Sequence, residues 1–253
     1  MQKQLNWDYT DHAKSYRLRP DYAKEAINDI VETVNLGAGS VVCEIGAGDG
    51  HLTKMLAGHV SQIHAIEPNG TMRSAGQKNT ESFSDYVFWS NGTGEETGKP
   101  DKFCDLVIFG SSFNVTDRQK SLKESARILK SGGWFACLWN HRDLGDPLQA
   151  DIERIIKSHI PDYGYGTRRE DQADVIALSK LYNPAEKIER RVVHTIQRDL
   201  WLEAWKSHAT LSRQAGENFQ NIIQDICKHV HDRCGEFISI PYITRAWVAS
   251  VKI

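Results

Sequence analysis

An α/β fold, with a doubly wound and mostly parallel sheet of seven strands and a helical cap, is what this sequence predicts. Three observations carry the prediction. Val41-Val42-Cys43-Glu44-Ile45 is a short apolar run that ends in Gly46-Ala47-Gly48-Asp49-Gly50, and Leu52, Met55 and Leu56 follow at helical spacing. Strand, glycine turn and helix in that order is how an open α/β sheet begins. Residues 61–68, Ser-Gln-Ile-His-Ala-Ile-Glu-Pro, read as a second strand that ends on an acid, Glu67, about twenty residues past Gly46. Further apolar runs at 86–89, 105–109 and 134–139 alternate with polar stretches of helical period.

The glycine loop narrows the ligand. The dinucleotide fingerprint G-x-G-x-x-G/A fits Gly46 and Gly48 but meets His51 at its third position. The pattern acid-x-G-x-G-x-G is filled by Glu44, Gly46, Gly48 and Gly50. An acid beside the turn repels pyrophosphate and suits a cationic ligand. Glu67 can accept from two ribose hydroxyls at once, a geometry that holds a nucleoside in place. A glycine loop that only turns a strand into a helix is the bland alternative.

Glu44-Ile-Gly-Ala-Gly-Asp-Gly50 resembles motif I of the class I S-adenosylmethionine-dependent methyltransferases, of the small-molecule, type 11-like kind. Other segments add to the resemblance. Residues 13–22 are similar to an A-x-x-Y-x-x-x-R-P entry, residues 90–100 to G-T-A-E-x-T-G-L-P, and residues 127–133 to R-V-L-K-P-G-G. The resemblance runs from residue 13 to about 145. It implies a Rossmann-like fold, S-adenosyl-L-methionine as cofactor and methyl transfer to oxygen, nitrogen or carbon of a small molecule. It places Tyr16 and Arg19 in a lid over cofactor and substrate. It puts Glu44, Gly46, Ala47, Gly48, Glu67, Pro68, Met72, Thr93, Gly94, Glu95, Phe109 and Gly110 around the cofactor.

The chain departs from the family in two places. Thr93 stands where many relatives carry an Asp that accepts from the adenine amino group, and Gly94 replaces the usual Ala. Asn114-Val115 stands where relatives read His-Trp after strand four. An amide cannot act as a general base. The expected acceptor pocket therefore comprises Asn114, Trp139, His141, Arg142 and Tyr163, with His141 as the expected base because its ordinary pKa lies near neutrality.

The remaining elements follow in order. Pro20 opens a helix over 21–34, with Tyr22, Ala26, Ile30 and Val34 on one side. A helix is expected at 118–129 and another at 148–159. Residues 160–175, rich in Tyr, Gly, Arg and Asp, read as a loop over the site. Strand six is expected at 190–197, helices at 200–211 and 219–230, and a last strand at 243–251. The family runs that last strand antiparallel beside strand six. The chain accordingly divides into an N-terminal lid (1–20), a cofactor-binding core (21–143), a cap with strand six (144–240) and a final core strand (241–253).

Composition excludes several classes. The chain has 253 residues, 40% of them hydrophobic, and a formal charge of −2, which opposes a nucleic-acid partner. The five cysteines form no C-x-x-C pair, so neither a zinc site nor a disulfide frame is expected. No long apolar run is present, and a cytoplasmic protein without a membrane partner is expected. Three alternatives remain: a methyltransferase-like protein that binds the cofactor without turnover, a NAD-dependent oxidoreductase and a nucleic-acid methyltransferase. His51 and Glu44 oppose the second. The charge and the lack of an Asn/Asp-Pro-Pro-Tyr-like motif oppose the third.

Overall fold

The computed structural model describes residues 20–206 and 208–252. The expected lid residues Tyr16 and Arg19 lie outside the described residues. Helix α1 (Lys24–Thr33) precedes β1 (Val41–Ile45), α2 (His51–Leu56), β2 (Gln62–Ile66), α3 (Gly70–Asn79) and β3 (Val87–Ser90). Next come β4 (Cys104–Gly110), α4 (Arg118–Ile128), β5 (Leu129–Arg142), α5 (Pro147–His159) and α6 (Gln172–Leu178). The chain then runs through β6 (Glu186–Gln197), α7 (Arg198–Lys206), α8 (Ala209–Ala215), α9 (Phe219–Arg233) and β7 (Phe237–Ser250).

The seven strands form one sheet in the order β3-β2-β1-β4-β5-β7-β6. The first five pair in parallel. The last strand inserts antiparallel between β5 and β6. The central strands are mostly apolar because helices cover both faces. Successive side chains point to opposite sides, so each strand feeds two cores. Val42, Leu106, Ile108, Ala136 and Leu138 pack with Ile27 and Ile30 of α1 and with Leu52 and Leu56 of α2. Cys43, Ile45, Val107, Phe109, Phe135 and Cys137 pack on the other face with Leu122 of α4 and Ile176 of α6. A third core joins Ile152 and Ile156, Trp201 and Trp205, and Ile222 and Ile226 from α5, α7 and α9 to Ile238 and Ile240 of β7.

Some boundaries differ from the sequence expectation. The expected helix over 200–211 is two helices, because the His208 side chain caps α8 by accepting from the Leu211 N–H at 3.2 Å. Strands six and seven begin earlier than expected, at Glu186 and Phe237, because their long antiparallel pairing continues past the central sheet. The stretch 160–175 is not an open loop: it holds a short helical turn, Gly166–Arg169, and the start of α6. Helix α6 packs under the sheet with the second core rather than in the cap. All five cysteines are free thiols.

Candidate functional site

The glycine loop joins β1 to α2, and Gly46, Gly48 and Gly50 all have positive φ, at 69°, 59° and 84°. A side chain is strained in that region. The reasons for the first two glycines differ. A Cβ on Gly46 would lie 2.5 Å from Cβ of Ser112, whose hydroxyl donates to the Ile45 carbonyl. Gly46 is thus required by the packing of the loop on the end of β4. A Cβ on Gly48 would meet only the Met72 methyl at 3.5 Å, an ordinary contact. The protein itself leaves the space above Gly48 open.

Glu67 ends β2 beside this loop. Its carboxylate accepts from the Gly48 N–H at 2.9 Å and the Asn69 N–H at 2.8 Å. Burial raises its pKa, and those two backbone bonds work against the rise. Each carboxylate oxygen retains a further lone pair for a ligand hydroxyl. Glu44 is buried on β1 and accepts from the Thr53 hydroxyl at 2.6 Å. Burial, with small additions from Asp49 and Glu67, pushes its pKa up to about 8. Asp49 is buried too, and its Oδ1 has no hydrogen-bond partner. The loop therefore presents acids, one orphaned carboxylate oxygen and open space over a glycine. Those features fit S-adenosylmethionine, which brings an ammonium, a sulfonium and ribose hydroxyls, and they do not fit a pyrophosphate.

A cavity of about 590 Å³ lies above the carboxyl ends of β1, β4 and β5 and under the cap. Its volume falls in the usual range for small-molecule sites. The sheet side is built from Glu44, Gly46, Ala47, Gly110, Ser111 and Asn114, and the cap side includes Tyr165, Arg168, Trp201, Trp205, His208 and Arg213. Trp139, Asn140 and Arg142 of β5 complete the wall between them. The Tyr22 and Ser111 hydroxyls meet at 2.8 Å and tie the chain before α1 to the end of β4.

The sequence-predicted residues separate into groups. Glu44, Gly46, Ala47, Gly110, Asn114, Trp139 and Arg142 line the cavity. Gly48, Glu67 and the buried Met72 sit beside it at the ends of β1 and β2, and the exposed Pro68 follows Glu67. Thr93, Gly94 and Glu95 lie past β3, away from the cavity wall. The Thr93 hydroxyl accepts from the Glu96 N–H at 3.1 Å, and Glu95 accepts from the Asp117 N–H at 2.6 Å at the start of α4. A Cβ on Gly94 would come within 2.6 Å of the Ser121 hydroxyl, so the family's alanine is excluded here by α4.

The expectations for Phe109, Tyr163 and His141 need correction, and Asn114 keeps its place. Phe109 does not face a ligand: it is fully buried against Phe113 and Phe135 under the sheet. Tyr163 is buried in the cap core, with its ring against Tyr165, and Tyr165 takes its place in the cavity wall. Asn114 lines the cavity but spends its side-chain oxygen on the Trp139 indole N–H at 2.9 Å. His141, the expected base, is buried and does not line the cavity, although Trp139, Asn140 and Arg142 around it do. Burial first, and then Arg169, Arg168, Arg245 and Lys187, lower its pKa to about 3.

Both His141 ring nitrogens lack a hydrogen-bond partner. His141→Leu should therefore keep or raise stability at neutral pH. It should also remove an acid sensitivity. The unfolded imidazole titrates near 6.5 and the folded one near 3, so stability is complete above 6.5 and falls as pH drops through that interval. The slope is up to about 1.4 kcal/mol per pH unit. Urea midpoints at pH 5 and pH 7.5, compared between parent and variant, check this; an unchanged pH dependence would refute it.

Of the cap-side residues, the two tryptophans and the arginines were not anticipated. Trp201 and Trp205 stand one helical turn apart on α7 and are visible in the sequence only as a pair of core aromatics. Arg168 and Arg213 carry no motif.

A parallel sheet with one inserted antiparallel strand, an acidic glycine loop and an acid ending the second strand are the features that the methyltransferase resemblance implies. Residues 43–137 match the family description of the methyltransferase domain. An uncharacterized methyltransferase of Schizosaccharomyces pombe is 30% identical over 149 residues, covering 58% of each chain. The ubiquinone/menaquinone biosynthesis C-methyltransferase UbiE of Caulobacter vibrioides is 24% identical over 178 residues, covering 64% of this chain and 70% of that one. The chain spans less than two thirds of the length of the first relatives it matches. Among solved structures, the YcgJ protein of Bacillus subtilis superposes with a TM-score of 0.57 at 17% identity, covering 91% of this chain and 99% of that one. Phosphoethanolamine N-methyltransferase 2 of Haemonchus contortus, solved with phosphomonomethylethanolamine and S-adenosylhomocysteine, gives 0.58 at 13% identity and covers 98% and 59%. These two likenesses concern the fold. No helix among the described residues is long and apolar enough to cross a membrane.

Proposed function

We propose that this protein transfers a methyl group from S-adenosyl-L-methionine to a small-molecule acceptor in the cytoplasm. The observation that carries the reading is the acidic cluster of Glu44, Asp49 and Glu67 at one end of a cavity that the cap closes at the other. Glu67 would hold the ribose hydroxyls, Met72 and the open space over Gly48 would receive the nucleoside, and Glu44 would face the cationic end. The bound cofactor supplies an activated methyl group, so the chain's own task is to place the acceptor in line and keep the site dry.

Neither of the two positions from which a base was expected supplies one, which agrees with that division of labour. Asn114 is an amide fixed to Trp139, and His141 does not line the cavity. Positioning falls to Trp139, Asn140 and Arg142 on β5 and to the aromatic residues of the cap. The same observation favours a second reading, in which the protein binds the cofactor without turnover.

Glu67→Ala tests the cofactor assignment. S-adenosylhomocysteine should bind the parent, and the variant should lose about tenfold to a hundredfold in affinity, because a charge-assisted pair of hydrogen bonds disappears. Titration calorimetry measures both. Equal affinity in the two proteins, or tighter binding of NAD, would overturn the assignment. Release of S-adenosylhomocysteine during turnover with an acceptor would then separate the enzyme from the mere binder.

A further inference from the structure

Arg142 is an unusual residue for the wall of a small-molecule cavity. Its side chain is only 8% exposed, yet its Nη1 has no hydrogen-bond partner. A buried guanidinium donor left unpaired is costly. Its Nη2 donates to the Tyr165 hydroxyl at 2.6 Å and to the Glu153 carboxylate. The guanidinium also stands 5.1 Å from the centre of the Trp205 ring.

The surroundings are cationic. Arg169 and Arg168 lie 3.7 and 5.5 Å from the centre of the Tyr165 ring, and Arg168 and Arg213 line the cavity together with Arg142. Glu153, the nearby acid, is shared between Arg142 and Lys157, whose ammonium is 3.5 Å away. Among the described residues the wall holds one acid, Glu44, at the far end on β1. His141, behind the same turn, records the positive field, since Arg169, Arg168, Arg245 and Lys187 all add to the lowering that burial begins.

Resting on the methyltransferase reading, we propose that the acceptor is a small organic anion, its charged group held by Arg142 and Arg168 and its apolar body laid against Trp201 and Trp205. Arginine presents a planar fork that matches a carboxylate or phosphate, and the indoles supply an apolar wall. The cofactor is itself cationic, so an anion completes the charge balance of the closed site, whereas a cationic acceptor meets like charge at both ends.

The test uses matched probes in the full-length protein with S-adenosylhomocysteine added to saturation. The probes are 4-phenylbutanoate, its neutral amide 4-phenylbutanamide, and benzyl phosphate. Either anion should bind at least about tenfold tighter than the amide, and Arg142→Gln and Arg168→Gln should each erase that advantage. A preference for one anion over the other tells a carboxylate site from a phosphate site. Arg142→Gln leaves Glu153 with the Tyr165 hydroxyl and the Lys157 ammonium, and its thermal midpoint is measured first; Arg168, on a short turn, gives a second variant if that one unfolds. Equal binding of acid and amide, no binding of any probe up to about 10 mM, or an anion preference that survives in a folded variant overturns the proposal. Absence of S-adenosylhomocysteine binding in the initial titration instead overturns the methyltransferase reading, and it is read separately.

Discussion

Gly46→Ala should destabilise the fold by roughly 2–5 kcal/mol, while Gly48→Ala should lose far less stability and still lose cofactor binding. The two glycines are two residues apart in one loop, and both have positive φ. Both variants therefore meet the same backbone penalty, about 1–2 kcal/mol. The difference is what stands opposite. At Gly46 the new methyl group would sit 2.5 Å from Cβ of Ser112. Ser112 cannot move aside, because its hydroxyl is bonded to the Ile45 carbonyl and it lies between Ser111, bonded to Tyr22, and the buried Phe113. At Gly48 the new methyl group points into open space bounded by the Met72 methyl at 3.5 Å. That is the space assigned to the ligand. Urea unfolding and calorimetric titration of S-adenosylhomocysteine on both variants measure the two effects. Equal destabilisation by the two substitutions would show that backbone strain alone matters. Parental affinity in the Gly48 variant would show that the loop merely turns the chain.

Most of the half of the chain nearest the glycine loop is legible in the sequence. Val41–Ile45, the alternating glycines and the acid at position 67 are local features, and each is set by the conformation of a few neighbouring residues. His141 shows where such reading stops. Position 141 lies at the correct strand end, but lying there does not decide whether a side chain reaches the cavity or is buried in the packing beside it. Asn140 and Arg142 face the ligand, and His141 does not. Nothing within the polar stretch 140–147 marks that difference, and the strand that pairs with β5 here, β7, comes more than a hundred residues later. Phe109 is lost in the same way, since Phe109 and Ile108 are equally apolar but feed different cores. The cap wall fails for another reason. Trp201, Trp205 and Arg168 come from segments far apart in sequence, and only the third core brings them over the sheet.

The affinity for S-adenosylmethionine should rise with pH between 6 and 8, by up to about tenfold per unit, and Glu44→Gln should flatten that rise. In the protein alone, burial pushes the Glu44 carboxyl to about 8 from an ordinary 4.5. At neutral pH the folded chain therefore holds a proton there that the unfolded chain has released. The contribution to stability is complete below 4.5 and is lost as pH rises through 8, so the free protein should become less stable across that interval. A cation brought to the loop reverses the preference, because it favours the carboxylate and lowers the pKa. Binding then expels the proton, and mass action makes binding tighter as protons become scarcer. Glu44→Gln keeps an oxygen to accept from the Thr53 hydroxyl, now 2.6 Å away, but cannot ionise. The ligand's own titrations act on parent and variant alike, so the difference in slope belongs to Glu44. Calorimetry in two buffers of unlike ionisation heat counts the released protons directly. If parent and variant release the same number and share one slope, Glu44 does not meet the positive charge, and the acid in the glycine loop is there for the fold.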